Sequence, residues 1–349
     1  MLIIAAHEYA VWGLVAATAA SFFWAISVVL YRRVGRLMPP VTLNMSKGFF
    51  AAAILTVVIA VDWLVLGNKP WDLPAGLLGL MVLSGVIGIG VGDTLFFAGL
   101  NRMGARRLLL LFTINPVITV VVAWLFMGEQ LIWEQLIGIA LTCGGVAWVI
   151  AERNTEKSDG HVDLLGVTFG IGAASCQAAG ILISRHVFEH GEITEPASAW
   201  LRLGAGATVL LLCLPLDQFL KDPGGEQHHH PDEPSKVQAR IMFFVALLLG
   251  AVGGIWLMQI AIKHSGRIGV ASALLSTSPL FVLPIVAMLG ERISRRAVFG
   301  ALITIIGIAM LLFFRQVPDS PGSPVQQEHA DTEVQAQQAI HRVFNGREQ

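Results

Sequence analysis

The sequence predicts an all-α integral membrane protein with ten transmembrane helices, arranged as two inverted five-helix repeats. Composition is the first ground. Apolar residues make up 55% of the 349 positions, charged residues only 13%, and the mean hydropathy is +0.69, whereas a soluble domain carries about 25% charge. The second ground is a tenfold recurrence of apolar stretches, each of roughly 18–25 residues and so long enough to cross about 30 Å of hydrocarbon. The third is a pattern that occurs twice. Gly88, Gly92, Gly104, Pro116, Gly128-Glu129, Gly138 and Gly145 recur as Gly250, Gly254, Gly266, Pro279, Gly290-Glu291, Gly300 and Gly307, at an offset of 162 throughout except 163 at the proline. A duplicated membrane unit explains the recurrence.

The ten spans are placed near 10–31, 44–66, 74–99, 106–127, 132–151, 163–185, 197–216, 240–262, 268–289 and 297–314. They read as helices because lipid offers no partner to backbone N–H and C=O groups, and they lack the period-2 alternation of barrel strands. The first span is too long for the apolar core of a signal peptide and has no basic segment before it, so it reads as a retained helix. Cys143, Cys176 and Cys213 lie inside apolar spans without metal-ligand spacing, which argues against disulfide and zinc readings.

Residues 10–151 form the first repeat and 163–314 the second, joined by the polar linker 152–162. Loop 217–239 is dense in proline, glycine and acidic residues and contains His228-His229-His230. It reads as a flexible, solvated loop, since adjacent histidines without an ordered scaffold make a poor metal site. The tail, 315–349, reads as disordered. Because each half holds five helices, an odd number, the second copy enters the membrane from the opposite face.

The residues from Gly99 to Pro116, with Gly128-Glu129, Gly138 and Gly144-Gly145, and their echo from Ile260 to Pro279 with Gly290-Glu291, Gly300 and Gly307, resemble the EamA-type branch of the drug/metabolite transporter superfamily. Trp24 in the first span and a basic residue early in the second and seventh spans share in that resemblance, which covers 10–314. It implies a ten-helix carrier of small metabolites, often an exporter, working without nucleotide hydrolysis and with both termini in the cytoplasm.

Polar groups inside the spans are the site candidates, because a charge at mid-membrane costs about 2.5–3.5 kcal/mol on insertion scales. Asp93 lies nine residues before Arg102, about 13 Å along a helix and so near mid-depth. It is read as a pathway or proton-coupling group, against a carboxylate merely bonded to a neighbouring helix. Lys47 and Arg202 stand seven residues after Pro40 and six after Pro196, matching places in the two halves. Facing a cavity they would hold a carboxylate or phosphate; snorkelling to the interface, they would be structural.

Asn115-Pro116 and Ser276-Thr277-Ser278-Pro279 put a helix-breaking proline among hydrogen-bonding side chains, which predicts cavity-lining kinks at Pro116 and Pro279. Trp24, Thr94, Gln177, Trp256 and Gln259 would complete a pocket wall, although aromatic residues at helical spacing also serve as packing. Gly88/Gly92 and Gly250/Gly254 place small residues one turn apart and predict close helix packing. Glu129 and Glu291 open the fifth and tenth helices, where their charge complements the helix N-terminus.

Lys and Arg are distributed unevenly between the loops. Fourteen stand in loops after odd-numbered spans (Arg32, Arg33, Arg36, Arg102, Arg106, Arg107, Arg153, Lys157, Lys221, Lys236, Arg240, Arg292, Arg295, Arg296) and four after even ones (Lys69, Arg185, Lys263, Arg267). The positive-inside rule then puts both termini outside the cytoplasm, opposite to the implication of the resemblance.

No phosphate-binding loop, nucleophile elbow or basic aromatic patch occurs, so ATP-driven pumping and nucleic-acid binding have no support. A membrane enzyme acting on lipid phosphates would need polar residues clustered at one interface, yet the only histidines of the spans, His186 and His264, lie at their edges. A structural or receptor subunit would need no interior charge at all. The sequence therefore predicts a non-enzymatic secondary transporter of the cytoplasmic membrane, exporting amino acids or related zwitterions, with multidrug or organic-cation export as the competing reading. Its expected partners are a small-molecule substrate, membrane lipids and a proton or counter-ion. No cofactor and no metal is expected.

Overall fold

A computed structural model describes residues 2–127, 133–150, 163–214, 234–264, 268–289 and 294–313. Gly128-Glu129, Gly266, Gly290-Glu291, the linker at 152–162, the histidine run and the tail at 315–349 all lie outside these. Among the described residues the chain is almost wholly helical. Six helices among the described residues are long and apolar enough to cross a membrane: 12–34, 40–65, 75–103, 164–190, 195–213 and 236–264. Shorter apolar helices cover 136–145, 278–288 and 298–310.

Helix α1 runs Leu2–Val34 and α2 runs Pro40–Leu66. Pro40 starts α2 because the first turn of a helix needs no N–H donors, and Gly67, at φ 74°, ends it in the left-handed region that glycine enters without strain. The third span is continuous but not uniform. Helix α3 (Ala75–Gly85) widens into a π-helical segment, π1 (Val86–Gly92), and returns to α4 (Asp93–Met103). The same sequence of forms recurs later, where α10 (Lys236–Ala246), π2 (Leu247–Gly254) and α11 (Ile255–His264) follow one another. Both π segments end on the second glycine of a Gly-x-x-x-Gly pair, and such segments often mark functional sites.

The helices break for two residues just before the two prolines expected to kink them. Helix α5 (Ala105–Phe112) stops and α6 (Asn115–Met127) begins anew; α12 (Ile268–Leu275) stops and α13 (Ser278–Met288) begins anew. A proline ring collides with the carbonyl four residues back, and those positions, Phe112 and Leu275, are where α5 and α12 end. Pro116 and Pro279 then occupy the first turn of the next helix, where no intrahelical donor is missing. Each break is closed in the same way: Thr113 Oγ1 donates to Leu110 O and Thr277 Oγ1 to Leu274 O, both at 2.6 Å.

Helices α7 (Trp133–Ile150), α8 (Leu164–His190), α9 (Glu195–Cys213) and α14 (Arg295–Phe313) complete the helices among the described residues. The all-α expectation needs one small amendment, because β1 (Trp71–Asp72) pairs antiparallel with β2 (Glu192–Ile193). Loop 217–239 also ends earlier than expected: Ser235 caps α10 in a capping box with Gln238, so helix begins at Lys236.

Packing runs between the two parts of the chain. The α3–π1–α4 helix lies on α8, α10–π2–α11 on α1, α2 on α9, α5 and α6 on α13 and α12, and α7 on α14. The last pair is reciprocal. A Cβ at Gly145 would stand 2.5 Å from Thr304 Oγ1, and one at Gly307 would stand 2.5 Å from Thr142 Oγ1. On the outer surface Leu64, Leu212 and Met288 are 80–88% exposed, an apolar exterior that suits lipid rather than water.

Candidate functional site

The charged side chains buried among the described residues are Lys47, Asp93 and Arg202. Lys47 and Arg202 are wholly inaccessible, so neither snorkels. The Lys47 stem turns into the interior from α2, where Nζ donates to Oδ2 of Asp93 in a buried ion pair and stands 5.2 Å from the centroid of the Phe97 ring. Asp93 owes its place to π1, which ends one residue earlier. Asn44, one helical turn before Lys47, donates through Nδ2 to Ile89 O (2.7 Å), Gly90 O (3.2 Å) and Thr94 Oγ1 (3.0 Å). Thr94 in turn donates to Gly90 O at 2.7 Å. A π-helix turns its carbonyls off the α-helical ladder, and Asn44 satisfies two of them while joining α2 to the turn that carries Asp93.

Arg202 approaches from α9. Its Nη1 donates to Gln259 Oε1 of α11 at 2.8 Å, and Gln259 Nε2 donates to Ser198 Oγ, one turn before Arg202. Nε and Nη2 have no hydrogen-bond partner. Glycine surrounds this side chain. A Cβ at Gly85 would stand 2.5 Å from Arg202 Cα, while Cβ atoms at Gly88 and Gly180 would stand 2.9 and 3.1 Å from Nη2. Alongside, Ser84 Oγ lies 2.8 Å from Gly180 O and 2.9 Å from Ser184 Oγ, where α3 crosses α8.

The remaining candidates divide. Gln177 belongs with the Arg202 group, its Oε1 lying 3.5 Å from where a Cβ on Gly88 would be, and its Nε2 donating to Met258 Sδ at 3.4 Å. Trp24 packs instead on Phe96, with ring centroids 5.4 Å apart, and Trp256 packs against the apolar cluster around Ile89 and Leu203. Asn115 accepts from Thr119 and Ser276 Oγ donates to Ser272 O, so the bonds of both lie within their own broken spans. Gly92 packs against Cys176 of α8 and Gly250 against Ser27 of α1. Sequence reasoning missed Asn44, Ser198 and Gly180. The first two carried a signal, being polar residues three and four positions before a candidate charge on the same helix.

Polar contacts also close the ends of the bundle. Arg102 Nε and Nη2 donate to Asp163 Oδ2 and Oδ1 at 2.9 and 3.1 Å, and Asp163 caps α8 through Gly166 N at 3.0 Å. At the far end of α8, Glu195 meets Lys263 at 3.0 Å and His264 at 2.7 Å. An apolar groove bounded by Leu14, Val15, Thr18, Ala19, Phe22 and Phe281 lies on the flank of α1 and contains none of the buried charges.

The sequence profile of the EamA-like transporter family matches this chain twice, over residues 11–151 and 164–313. The chain belongs to the EamA-like transporter family. Its curated relatives include an uncharacterized transporter of Archaeoglobus fulgidus, 28% identical over 84% of this chain and 95% of its own length. Another is the uncharacterized transporter YyaM of Bacillus subtilis, 25% identical over 79% of this chain and 85% of its own. A solved crystal structure aligns with a TM-score of 0.62 over 88% of this chain and 99% of that one. At 16% identity it shows a shared fold alone. This EamA-like protein is thus a multi-pass membrane protein of a transporter family, and both family matches carry buried charge: Lys47 and Asp93 in the first, Arg202 in the second.

Proposed function

We propose that this EamA-like protein is a secondary transporter that exports amino acids or related zwitterions across the cytoplasmic membrane by alternating access. The observation that carries the reading is the set of buried charges. Charge inside membrane-spanning helices is costly, and where it persists it marks a substrate or ion pathway by default. Here Lys47, Asp93 and Arg202 come from both family-matched stretches and are held by Asn44, Gln259 and Ser198. With Lys47 and Asp93 paired to each other, the remaining charge, Arg202, suits a substrate that carries a carboxylate, as amino acids do.

In this reading the ten spans form two inverted repeats, 10–151 and 163–314. The helix pairings between the early and late parts of the chain support it, as do the reciprocal Gly145/Thr304 and Gly307/Thr142 contacts. Inverted repeats exchange conformations to expose a central site to either face in turn. The competing reading, export of organic cations, requires an unengaged Asp93; its ion pair with Lys47 weighs against that.

The test is reconstitution of the purified protein into proteoliposomes loaded with radiolabelled amino acids. Release that depends on the protein and responds to an imposed proton gradient is the expected result. Release of organic cations alone would favour the competing reading, and absence of release of either class would reject export.

A further inference from the structure

The Nε–H and the adjacent Nη2–H of an arginine project side by side and match the two oxygens of a carboxylate. In Arg202 that edge is buried and has no hydrogen-bond partner. The rest of the guanidinium is fixed, because Nη1 is committed to Gln259, whose amide is held in turn by Ser198. The same chain shows the edge filled elsewhere. Arg102 offers its own Nε and Nη2 to the two carboxylate oxygens of Asp163, at 2.9 and 3.1 Å.

Lys47 is no rival anchor, since its ammonium is paired with Asp93. The three buried charges therefore resolve into a neutral pair and one cation that has no carboxylate within ion-pair distance among the described residues. The walls beside this edge are the backbone of Gly88 and Gly180 together with the Gln177 side chain, whose Oε1 lies 3.5 Å from where a Cβ on Gly88 would be. Gly88 and Gly180 bring no side chain there, and a Cβ on either would stand 2.9 or 3.1 Å from Nη2.

We propose that the Nε/Nη2 edge of Arg202 is the docking point for the carboxylate of the transported substrate, and that Lys47 and Asp93 form an internal pair that does not hold it. The proposal rests on the transporter reading and narrows it: substrates must present a planar carboxylate, and Arg202 acts differently from Lys47 despite their matching places in the two halves. Closure of π1 on α8 at Gly88 and Gly180 buries the fork, so loading requires these helices to part. The competing source of a carboxylate is Asp93, the carboxylate buried among the described residues; the test separates the two sources.

The full chain, purified in detergent, is melted with acetate and the standard L-amino acids at millimolar concentration, and with the corresponding amino-acid amides. Expected are a raised Tm with at least one amino acid, no rise with its amide, and an apparent affinity about tenfold or more weaker in Arg202→Lys, because an ammonium cannot reproduce the two-pronged contact. Should Arg202→Lys fail to fold, Gly88→Ala serves as the second variant: its methyl group crowds Nη2 and should weaken the same ligand while leaving the apo protein folded. Equal protection by acid and amide, full protection of Arg202→Lys or Gly88→Ala, or protection by no carboxylate would overturn the proposal. Protection seen only in Asp93→Asn would assign the fork to Asp93 and also overturn it. Carboxylate binding without movement across proteoliposomes would instead sink the transporter reading and leave the docking point standing.

Discussion

Lys47 and Asp93 meet inside the bundle, where the ammonium of α2 donates to the carboxylate that opens α4, and both are buried. Removing one partner strands the other charge in a poorly solvating interior. Lys47→Met should therefore lower stability by about 3–5 kcal/mol, whereas Lys47→Met combined with Asp93→Asn should recover most of that loss. Thermal unfolding of the single and double variants in detergent measures the difference. Additive losses would show that the two groups do not depend on each other.

Asp93→Asn keeps the shape of the side chain and removes its charge. It strands the Lys47 ammonium and so should melt lower, yet it should still insert, and it should abolish transport or uncouple it from the proton gradient. Flux in proteoliposomes at several external pH values is the measurement. Unchanged flux with an unchanged pH profile would make the carboxylate structural.

Gly144 and Gly145 are neighbours with opposite surroundings. A Cβ on Gly144 meets nothing within 4 Å, whereas one on Gly145 would meet Thr304 Oγ1 at 2.5 Å and Gly300 O at 2.8 Å. Overpacking of this kind costs about 1–3 kcal/mol, while glycine to alanine in an open helical position gains up to about 1 kcal/mol. Gly145→Ala should melt lower than the unaltered protein and Gly144→Ala no lower. Gly307→Ala should repeat the loss, since its Cβ would meet Thr142 Oγ1 at 2.5 Å. Equal melting of the two neighbours would remove the basis for a tight α7–α14 seam.

Gly92 and Gly254 end the two π segments; a Cβ on the first would meet Cys176 Cβ of α8 at 3.0 Å, and one on the second would meet Leu249 O at 3.2 Å and Ala20 O of α1 at 3.9 Å. Leucine at either should block transport by holding those helices apart. If the halves exchange roles during the cycle, the two variants should trap opposite-facing states. Cysteine accessibility from each side of the membrane reports the state, and exposure of the same side by both variants rejects the symmetric mechanism.

Orientation follows from the fourteen-to-four asymmetry of Lys and Arg between odd and even loops. Both termini should face away from the cytoplasm, with loop 217–239 inside. Single cysteines placed in that loop and at the C-terminus of a cysteine-free variant, labelled on intact cells with an impermeant reagent, decide it. Labelling of the loop and not the tail reverses the orientation.

The helical, membrane-embedded class was legible in the sequence. Apolar run length placed most helices near their observed ends, although α1 begins at Leu2 and not near residue 10, because crossing lipid constrains composition over every position of a span. Glycine and proline located where helices approach or stop. Pro116 and Pro279 mark breaks in their helices, since the collision with residues 112 and 275 is relieved by stopping the helix there. One boundary was misjudged. The polar run before residue 240 hid a capping box at Ser235 and Gln238.

By itself, the sequence determined the membrane class, the doubled pattern and the candidate charges Lys47, Asp93 and Arg202, since each is a property of residue type and spacing along one chain. Which of those charges pair was decided by tertiary structure alone. Lys47 and Arg202 hold matching places in the sequence, yet one is neutralised by Asp93 and the other turns an edge without a hydrogen-bond partner towards Gly88 and Gly180. The physical reason is that an ion pair depends on a few ångströms of separation and on direction. Those are set where α2, π1, α8, α9 and α11 pack together, 46 residues apart for Lys47 and Asp93 and 57 apart for Arg202 and Gln259.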